Sequence, residues 1–284
     1  MNKKILITGA NGQLGRALSK QYPDAVTTDS EQLDITNLSQ VEAYPWRDIS
    51  TIINTAAYTN VDAAETPEGR VASWSVNALG AANLASVAIQ HELTLVHIST
   101  DYVFDGTKDK HLEEEPFSPL NVYGQSKAAG DIAVALSPKH YILRTSWVIG
   151  DGNNFVRTMI GLANKNINPT VVADQIGRPT FTIELVRAIG FLMSHEATYG
   201  TYNLSNAGQA VSWADLARAI FRLAGKTNIT VTDTTTEQYF ASKPNVALRP
   251  LNSTFNLSKL GSIGYTPHEW EDDLKLYLQE EAKR

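Results

Sequence analysis

The chain has 284 residues, of which 43% are hydrophobic and 19% charged, and its formal net charge is −6. This length can form two domains, and the composition excludes a disordered chain. The sequence has no cysteine, which excludes a disulfide framework and a thiolate metal site. It also has no cluster of Lys and Arg, so we expect no nucleic-acid partner.

The N-terminal sequence does not have the pattern of a targeting segment. Lys3 and Lys4 precede an apolar run that ends at Thr8 and is too short for a signal peptide. No apolar run reaches the ~20 residues that a membrane span needs. We therefore expect a cytoplasmic protein without a membrane partner.

Short apolar runs alternate with helical patterns in the first half of the chain. The runs predicted as strands are 5–8, 25–28, 51–54, 93–99 and 141–144. Helices are predicted after the first strand and over residues 70–91 and 123–136. Strands that alternate with helices indicate right-handed βαβ units. The sequence predicts an α/β fold with a doubly wound parallel sheet of the Rossmann type.

The second half is less regular and indicates a smaller α/β domain. Ser212 and Asp215 have the spacing of a capping box at the start of a helix, and Trp270 begins an amphipathic C-terminal pattern. The composition changes near residues 150–154. We place one domain at 1–149 and the other at 150–284, with a strand near 200–204 returning to the first sheet.

A glycine-rich loop follows the first predicted strand and opens the first helix. Gly9, Gly12 and Gly15 have the spacing G-x-x-G-x-x-G. Glycines at these positions permit a tight turn and let backbone N–H groups and the helix N-terminus approach a pyrophosphate. The strand before and the helix after make this a dinucleotide-binding signal.

The residues around this loop leave the choice of cofactor open. Asp29 lies about 20 residues beyond the first glycine, where an acidic residue binds the adenosine ribose of NADH. Arg16 and Lys20 could instead attract the 2′-phosphate of NADPH. Both cofactors fit the pattern.

Tyr123 and Lys127 are four residues apart on a predicted helix and therefore share one face. The reduction of a ketone by hydride requires a proton donor at the oxygen, and a free phenol has a pKa of about 10. A neighbouring ammonium group lowers that pKa. A hydroxyl from Ser99 or Thr100, at the end of the preceding strand, would lie at the same cleft. The sequence thus predicts a ketone-reducing site.

A second Y-x-x-x-K pair shows that the spacing alone is weak. Tyr239 and Lys243 have it too, but they lack a preceding βαβ pattern, and Pro244 ends any helix there. We therefore predict that Tyr123 and Lys127 are the functional pair.

The glycine loop, the strand-end Ser/Thr and the helical Y-x-x-x-K together resemble the extended short-chain dehydrogenase/reductase family. Longer strings are similar to the dTDP-4-dehydrorhamnose reductase family, and they lie at 54–65, 99–106, 144–148, 174–180 and 249–253. The similarity runs from the first strand to Trp270. Long strings in this order are more specific than either short motif.

The resemblance implies roles for individual residues. The catalytic residues would be Thr100, Tyr123 and Lys127. Residues that bind NADPH or NADH would be Gly9, Asn11, Gly12, Gln13, Leu14, Gly15, Asp29, Asp34, Ile35, Ala56, Ala57, Tyr58, Tyr123 and Lys127. Residues that bind the substrate would be Thr59, Val61, Thr100, Asp101, Tyr102 and Trp147. For Trp147, a core position is the competing interpretation, since Trp buries a large area.

The implied activity is reduction of the 4-keto group of dTDP-4-dehydro-L-rhamnose to dTDP-L-rhamnose, for cell-surface polysaccharide synthesis. One alternative is an epimerase or dehydratase of another nucleotide sugar. Dehydratases of this type need a further acid after the Asp, whereas Tyr102 follows Asp101. Another alternative is a non-catalytic NADP-binding regulatory subunit, against which the intact Thr100, Tyr123 and Lys127 argue.

Some members of this family dimerise through a metal held by a Glu early in the first helix. Arg16 and Ala17 follow Gly15 here, so we expect no metal, and a monomer and a homodimer both remain open.

Four other polar features receive structural interpretations. Residues 113–115 are three glutamates that we predict to form a solvated loop, and His97 is predicted to pack in the core. Asp62 and Glu65 are predicted to cap a helix, and Asn77 is expected near the cleft, with hydrogen bonds that bridge the sheet as its alternative role.

Overall fold

The computed structural model describes residues 4–241 and 246–283. In chain order the first half forms β1 (Lys4–Thr8), α1 (Gln13–Gln21), β2 (Val26–Thr28), α2 (Leu38–Ala43), β3 (Ile49–Asn54), α3 (Pro67–Trp74), α4 (Ala81–Gln90), β4 (Thr94–Thr100), α5 (Val122–Ala135) and β5 (His140–Thr145). The second half forms β6 (Val148–Ile149), α6 (Phe155–Asn164), β7 (Thr170–Val172), β8 (Ile176–Gly177), β9 (Thr180–Phe181), α7 (Thr182–Ser194), β10 (Gly200–Asn203), β11 (Val211–Ser212), α8 (Trp213–Leu223), β12 (Thr232–Thr234), α9 (Thr236–Phe240), α10 (Ser258–Ser262) and α11 (Trp270–Glu281).

A six-stranded parallel sheet organises the molecule. Its order is β10-β5-β4-β3-β1-β2, and β10, from the second half of the sequence, pairs with β5 at one edge. The predicted α/β fold with a doubly wound parallel sheet is therefore confirmed. Among the described residues, no helix is both long and apolar enough to cross a membrane.

Alternate residues of the strands enter two hydrophobic cores on opposite faces of the sheet. Leu6 and Ile52 belong to one core, with side chains from α2 and α4. Their neighbours Ile7 and Ile53 belong to the other, with side chains from α1 and α7. Because successive side chains of a strand point to opposite faces, helices cover both sides, and α7 brings part of the second half into this layer.

The strand order reverses at β1, and this point positions the candidate site. The strand β1 pairs with β2 on one side and with β3 on the other, so Thr8 and Asn54 are neighbours at the carboxyl ends of their strands. Ligands of open α/β sheets bind in the crevice at such a switch point. The glycine loop leaves β1 at this position.

The helix predicted over residues 70–91 is interrupted by a π-helical segment, Ser75–Gly80, between α3 and α4. Asn77 lies in this segment, and its side chain holds the backbone of Tyr58, accepting from the Tyr58 N–H at 2.9 Å and donating to its carbonyl at 3.1 Å. Single π turns are common near functional sites. Hydrophobic periodicity does not detect them, because the apolar stripe continues on both sides.

A third core lies in the second half, between α6, α8 and α11, and includes Val156, Phe221 and Leu274. The helix α8 starts at the predicted capping box, with the Asp215 N–H donating to Ser212 Oγ at 3.0 Å and the Ser212 N–H donating back to the Asp215 carboxylate. This box fixes the start of α8 and hence the position of the residue that follows the cap.

The prediction of a solvated loop at residues 113–115 is wrong for Glu113. This side chain is buried, and its carboxylate accepts a 2.9 Å hydrogen bond from the Asn203 N–H at the end of β10. Glu115 contacts His111, and Glu114 is exposed. The charge run thus contains a buried acceptor for the edge strand, which composition alone does not reveal.

Candidate active site

Two cavities meet at the carboxyl ends of β1, β3 and β4. The larger has a volume of about 590 Å³ and the smaller of about 320 Å³, and both have Asn11, Gly12, Thr55 and Ala57 in their walls. The larger also contains these predicted residues: Gln13, Leu14, Gly15, Thr59, Val61, Thr100, Asp101, Tyr102, Tyr123, Lys127 and Trp147. The smaller also contains Gly9, Asp29, Asp34, Ile35 and Ala56. Tyr58 lines neither cavity, and its backbone is held by Asn77.

The glycine loop is close-packed and fits a pyrophosphate. Gly9 has a φ of +67°, and a Cβ there would lie 2.6 Å from the Ala56 nitrogen. A Cβ on Gly15 would lie 2.4 Å from the Gly9 carbonyl oxygen. The first residues of α1, which begins at Gln13, lie in the wall of the larger cavity, and a helix N-terminus favours an anion.

Gly15→Ala should weaken NADPH binding at least about tenfold, because the new methyl group must displace the loop backbone that would bind the pyrophosphate. Fluorescence titration of NADPH measures this. Gly161→Ala is the matched control, since a Cβ at Gly161 meets nothing within 4 Å. Equal affinity in both variants would show that the loop does not bind the cofactor.

Asp29 lies at the end of β2 beside this loop. Its Oδ2 accepts a 2.7 Å hydrogen bond from Asn11 Nδ2, which fixes the carboxylate in the wall of the smaller cavity. Arg16 donates to the carbonyl oxygens of Asn11 and Asp151, so it connects the loop to the second half. Lys20 lies in the wall of a separate cavity that α7 and α11 also line.

Tyr123 and Lys127 project from α5 into the larger cavity. The helix starts at Asn121, whose side chain accepts from the Gly124 N–H at 2.7 Å. Lys127 is buried, and its Nζ donates to the Ile98 carbonyl oxygen at 2.6 Å and lies 3.3 Å from His97 Nε2. His97 is buried, as predicted, but it belongs to a polar network.

The pKa of Tyr123 is raised above its usual value by burial and by the Asp101 charge, while a hydrogen bond with Thr100 opposes the shift. This direction is opposite to the lowering expected from Lys127, whose Nζ contacts are with His97 and Ile98. A protonated phenol is the form that can donate a proton to a keto oxygen.

Thr100 ends β4 in a buried cluster with Asp101. Thr100 Oγ1 donates to Asp101 Oδ1 at 2.8 Å and accepts from the Tyr102 N–H at 3.1 Å, and Ser253 Oγ donates to Asp101 Oδ2. Burial raises the pKa of Asp101 to about 6, although these hydrogen bonds lower it. Ser99, the other candidate, is buried, and its Oγ has no hydrogen-bond partner among the described residues.

The raised pKa of Asp101 makes a prediction for stability. Because the folded-state pKa of Asp101 lies above the unfolded value of 3.8, the protonated carboxyl contributes to the free energy of unfolding. This contribution is fully present below about pH 4 and is lost as the pH rises through about 6. Asp101→Asn has no such titration. The advantage of the wild type over the variant in free energy of unfolding should therefore fall by up to about 3 kcal/mol between these pH values. Urea denaturation from pH 4 to 7 measures it; a constant difference would contradict the shift.

Trp147 lies in the wall of the larger cavity, half-buried, with a φ of +50°. Its ring stacks on that of Trp213, with centroids 3.7 Å apart and planes at 16°. A Cβ on Gly177 would lie 2.9 Å from the Trp147 ring, so glycine makes room for it. A positive φ at a bulky residue is strained, and such strain is typical of ligand sites. Trp213 was not predicted, although its place directly after the Ser212 cap was a usable signal.

We predicted that Asp62 and Glu65 cap a helix, but neither side chain caps the short helical turn in which they lie. Asp62 instead accepts from the Ala247 N–H at 3.1 Å and pairs with Arg249, and Glu65 accepts from the Val122 N–H at the start of α5 at 2.9 Å. Thr66 provides the cap of α3. Both acids therefore connect distant segments around the cleft, which local spacing does not show.

One group of described side chains has the spacing of metal ligands, Glu184, His268 and Asp273, away from the cleft. Arg187 pairs with both carboxylates and lies 2.8 Å from His268 Nδ1. Because a guanidinium already pairs with both carboxylates, we interpret the group as a structural cluster that joins α7 to the C-terminal segment.

Comparisons with known proteins identify the family of the chain. The model of the family described as RmlD substrate binding domain matches residues 3–283. A dTDP-4-dehydrorhamnose reductase of Aggregatibacter actinomycetemcomitans is 40% identical, covering 96% of this chain and 97% of that protein. The crystal structure of a dTDP-4-dehydrorhamnose reductase from Clostridium acetobutylicum has a TM-score of 0.90 at 41% identity, covering 98% and 99% of the two chains.

A dTDP-4-dehydrorhamnose reductase from Bacillus anthracis, solved in complex with NADP, has a TM-score of 0.90 at 39% identity and covers 99% of this chain and 100% of its own. The resemblance inferred from the sequence is therefore confirmed. The chain belongs to the RmlD substrate binding domain family, with these dTDP-4-dehydrorhamnose reductases among its relatives.

Proposed function

We propose that the protein reduces the 4-keto group of dTDP-4-dehydro-L-rhamnose to dTDP-L-rhamnose with NADPH or NADH, in the cytoplasm, for cell-surface polysaccharide synthesis. The observation that carries this proposal is one cleft in which the glycine loop, Thr100, Tyr123 and Lys127 meet. Relatives of similar length are named for this reaction, and one is a complex with NADP.

The glycine loop and its surroundings fit the cofactor. The pyrophosphate would lie over Gly9, Gly12 and Gly15, where a Cβ at either outer glycine would meet the backbone. The adenosine half would occupy the smaller cavity between Asp29 and Ile35. Lys127, in the wall of the larger cavity, would bind the other ribose. When bound, the reduced nicotinamide supplies the hydride that is added to C4 of the sugar.

Tyr123 is the proposed proton donor. Its protonated phenol lines the cleft beside Thr100, so it can transfer the proton to the keto oxygen as C4 becomes a C–OH carbon. Thr100 forms a hydrogen bond with the Tyr123 phenol and is itself held by Asp101, which accepts from Thr100 Oγ1 and from Ser253 Oγ. We therefore assign to Thr100 the orientation of the phenol toward the keto oxygen.

Residues on the other side of the cleft are proposed to hold the nucleotide sugar. Thr59, Val61 and Tyr102 line the cavity from the first half, and the stacked Trp147 and Trp213 supply an aromatic surface for the sugar ring. We assign cofactor binding to residues 1–149 and most contacts with the dTDP group of the substrate to residues 150–284. A monomer and a homodimer are both compatible with a cleft formed within one chain.

An assay with dTDP-4-dehydro-L-rhamnose and either NADPH or NADH tests this function by cofactor oxidation and product identity. Turnover that yields dTDP-L-rhamnose supports the proposal, and comparing the two cofactors gives the preference. Turnover only with other nucleotide sugars would favour an epimerase or another reductase. Cofactor binding without any turnover, together with co-purification of a larger enzyme, would favour the regulatory-subunit alternative.

A further inference from the structure

A chain of buried hydrogen bonds leads from β1 to Lys127 through two residues that the proposed mechanism does not use. Thr8 Oγ1 donates to Asn54 Oδ1 at 2.7 Å, and Asn54 Nδ2 lies 3.0 Å from His97 Nδ1. His97 Nε2 in turn lies 3.3 Å from Lys127 Nζ. Thr8, Asn54, His97 and Lys127 are all buried.

The orientation of the Asn54 side-chain amide is fixed by a backbone N–H group, which can only donate a hydrogen bond. The Ala56 backbone N–H donates to Asn54 Oδ1 at 3.2 Å, so this atom must be the acceptor and Nδ2 must face His97. Asn54 Nδ2 carries only hydrogens to donate. His97 Nδ1 therefore accepts, and the neutral imidazole has its proton on Nε2.

This tautomer directs an N–H group at the Lys127 amine. A neutral amine can accept from His97 Nε2–H while it donates to the Ile98 carbonyl oxygen, which satisfies every contact of Nζ. An ammonium has only donors, so it would oppose the His97 N–H inside a buried network. Protonation of His97 Nδ1 does not occur in its place, because burial and Lys127 keep the pKa of His97 well below its usual value.

We propose that His97, held as the Nε2–H tautomer by Asn54, is a positioning residue that orients Lys127 at the cleft and disfavours its ammonium form. The role in catalysis rests on the proposed function, since Lys127 is assigned there to the cofactor and to Tyr123. A lysine poised between its two forms can gain its charge when hydroxyl acceptors of a bound ligand replace the contact with His97.

The other charged groups around Lys127 have weaker or opposite effects. Asp131, one turn along α5, favours the ammonium; its Oδ1 lies 4.0 Å from His97 Nε2, which is beyond hydrogen-bond distance, and its Oδ2 accepts from Arg144 Nε at 3.0 Å. Tyr123 and Asp101 line the same cleft. Burial dominates these influences and lowers the pKa of Lys127 to about 8. The His97 N–H acts in the same direction as burial.

The first test measures the wild-type protein without any substrate. Long-range ¹H–¹⁵N correlation spectra of the histidine rings report which nitrogen carries the proton. We expect an unprotonated Nδ1 and a protonated Nε2 for His97, assigned by the signal lost in His97→Gln. A protonated Nδ1 would overturn the proposal, and the tautomer itself is measured on the wild-type protein.

The second test follows Lys127 directly by ¹³Cε NMR titration, with the resonance assigned by its loss in Lys127→Arg. In His97→Gln the amide oxygen can take the place of His97 Nε2 and accept from Lys127, so the Lys127 pKa should rise by about one unit. The alkaline limb of the pH profile of kcat/KM should shift to higher pH by a similar amount. His140→Gln, on neighbouring β5 and bonded to the Ser137 carbonyl oxygen, is the control that should leave Lys127 unchanged.

An unchanged Lys127 titration in folded His97→Gln would overturn the proposal. The NMR measurements need no sugar nucleotide, so their failure leaves the proposed reduction standing. Conversely, lack of turnover with the sugar nucleotide would reject the proposed reduction but would not affect the measured His97 tautomer or Lys127 pKa.

Discussion

Tyr123→Phe should lower kcat for the reduction by about 10²–10⁴-fold, because the variant lacks the proton donor at the keto oxygen. The substitution removes one oxygen, which lies in the cleft beside Thr100, so we expect the fold to persist and the cofactor affinity to change far less than kcat. Steady-state kinetics and NADPH titration on the same preparation separate the two effects. A fall in kcat with unchanged cofactor affinity identifies a group used in the chemical step.

Tyr239→Phe is the matched control, since Tyr239 begins the other Y-x-x-x-K of the sequence. Tyr239 lies in α9, away from the cavity walls that contain Tyr123, and its ring packs edge-on against Phe240. Its partner Lys243 lies outside the described residues. We expect kcat within about twofold of the wild type for this control. Equal losses in both variants would show that Tyr123 has no special part in the reaction.

The sequence predicted those parts of the site whose signals are local. The glycine loop is recognisable because strand, turn and helix follow one another within residues 4–21, and Tyr123 and Lys127 share a helix face at fixed spacing. The parallel sheet followed from alternating elements, and Gly9 proved to need its positive φ. In each case one short segment contains both the pattern and its physical cause.

Contacts between distant segments could not be predicted in this way. Ser253 donates to Asp101 across 152 positions, and Glu65 accepts from the Val122 N–H at the start of α5 across 57 positions. Trp213, the first residue of α8, reaches the cleft by stacking on Trp147, which adopts a positive φ just before β6. Sequence spacing contains no information on these pairings, since tertiary packing alone brings the partners together.

The same limit applies to His97 and Asn54. Each was visible as a polar residue in or at the end of a predicted strand, and burial was the correct expectation for His97. Their significance comes from parallel pairing of β3 with β4, which places Asn54 opposite His97 in the register. Because of this register the two side chains are neighbours, and Asn54 can fix the tautomer of His97.

Asp131→Asn should reduce the free energy of unfolding by about 3–5 kcal/mol, because it leaves the buried Arg144 guanidinium without its counter-charge. The Asp131 and Arg144 side chains are 1% and 5% exposed, and the Arg144 Nε–Asp131 Oδ2 distance is 3.0 Å. This pair joins α5, which bears Tyr123 and Lys127, to β5. Urea denaturation monitored by fluorescence and circular dichroism measures the loss.

Asp272→Asn makes the same chemical change in an exposed pair with Lys275, whose side chains are 65% and 49% exposed. We expect it to cost about 0–1 kcal/mol, since water and salt screen such a pair. Equally small losses in the two variants would mean that the Glu113 carbonyl oxygen and the rings of Phe104 and Phe117, which also contact Arg144, stabilise the guanidinium without Asp131. A large loss confined to Asp131→Asn would instead show that this one buried carboxylate stabilises the contact of α5 with Arg144; the same carboxylate also favours the charged form of Lys127.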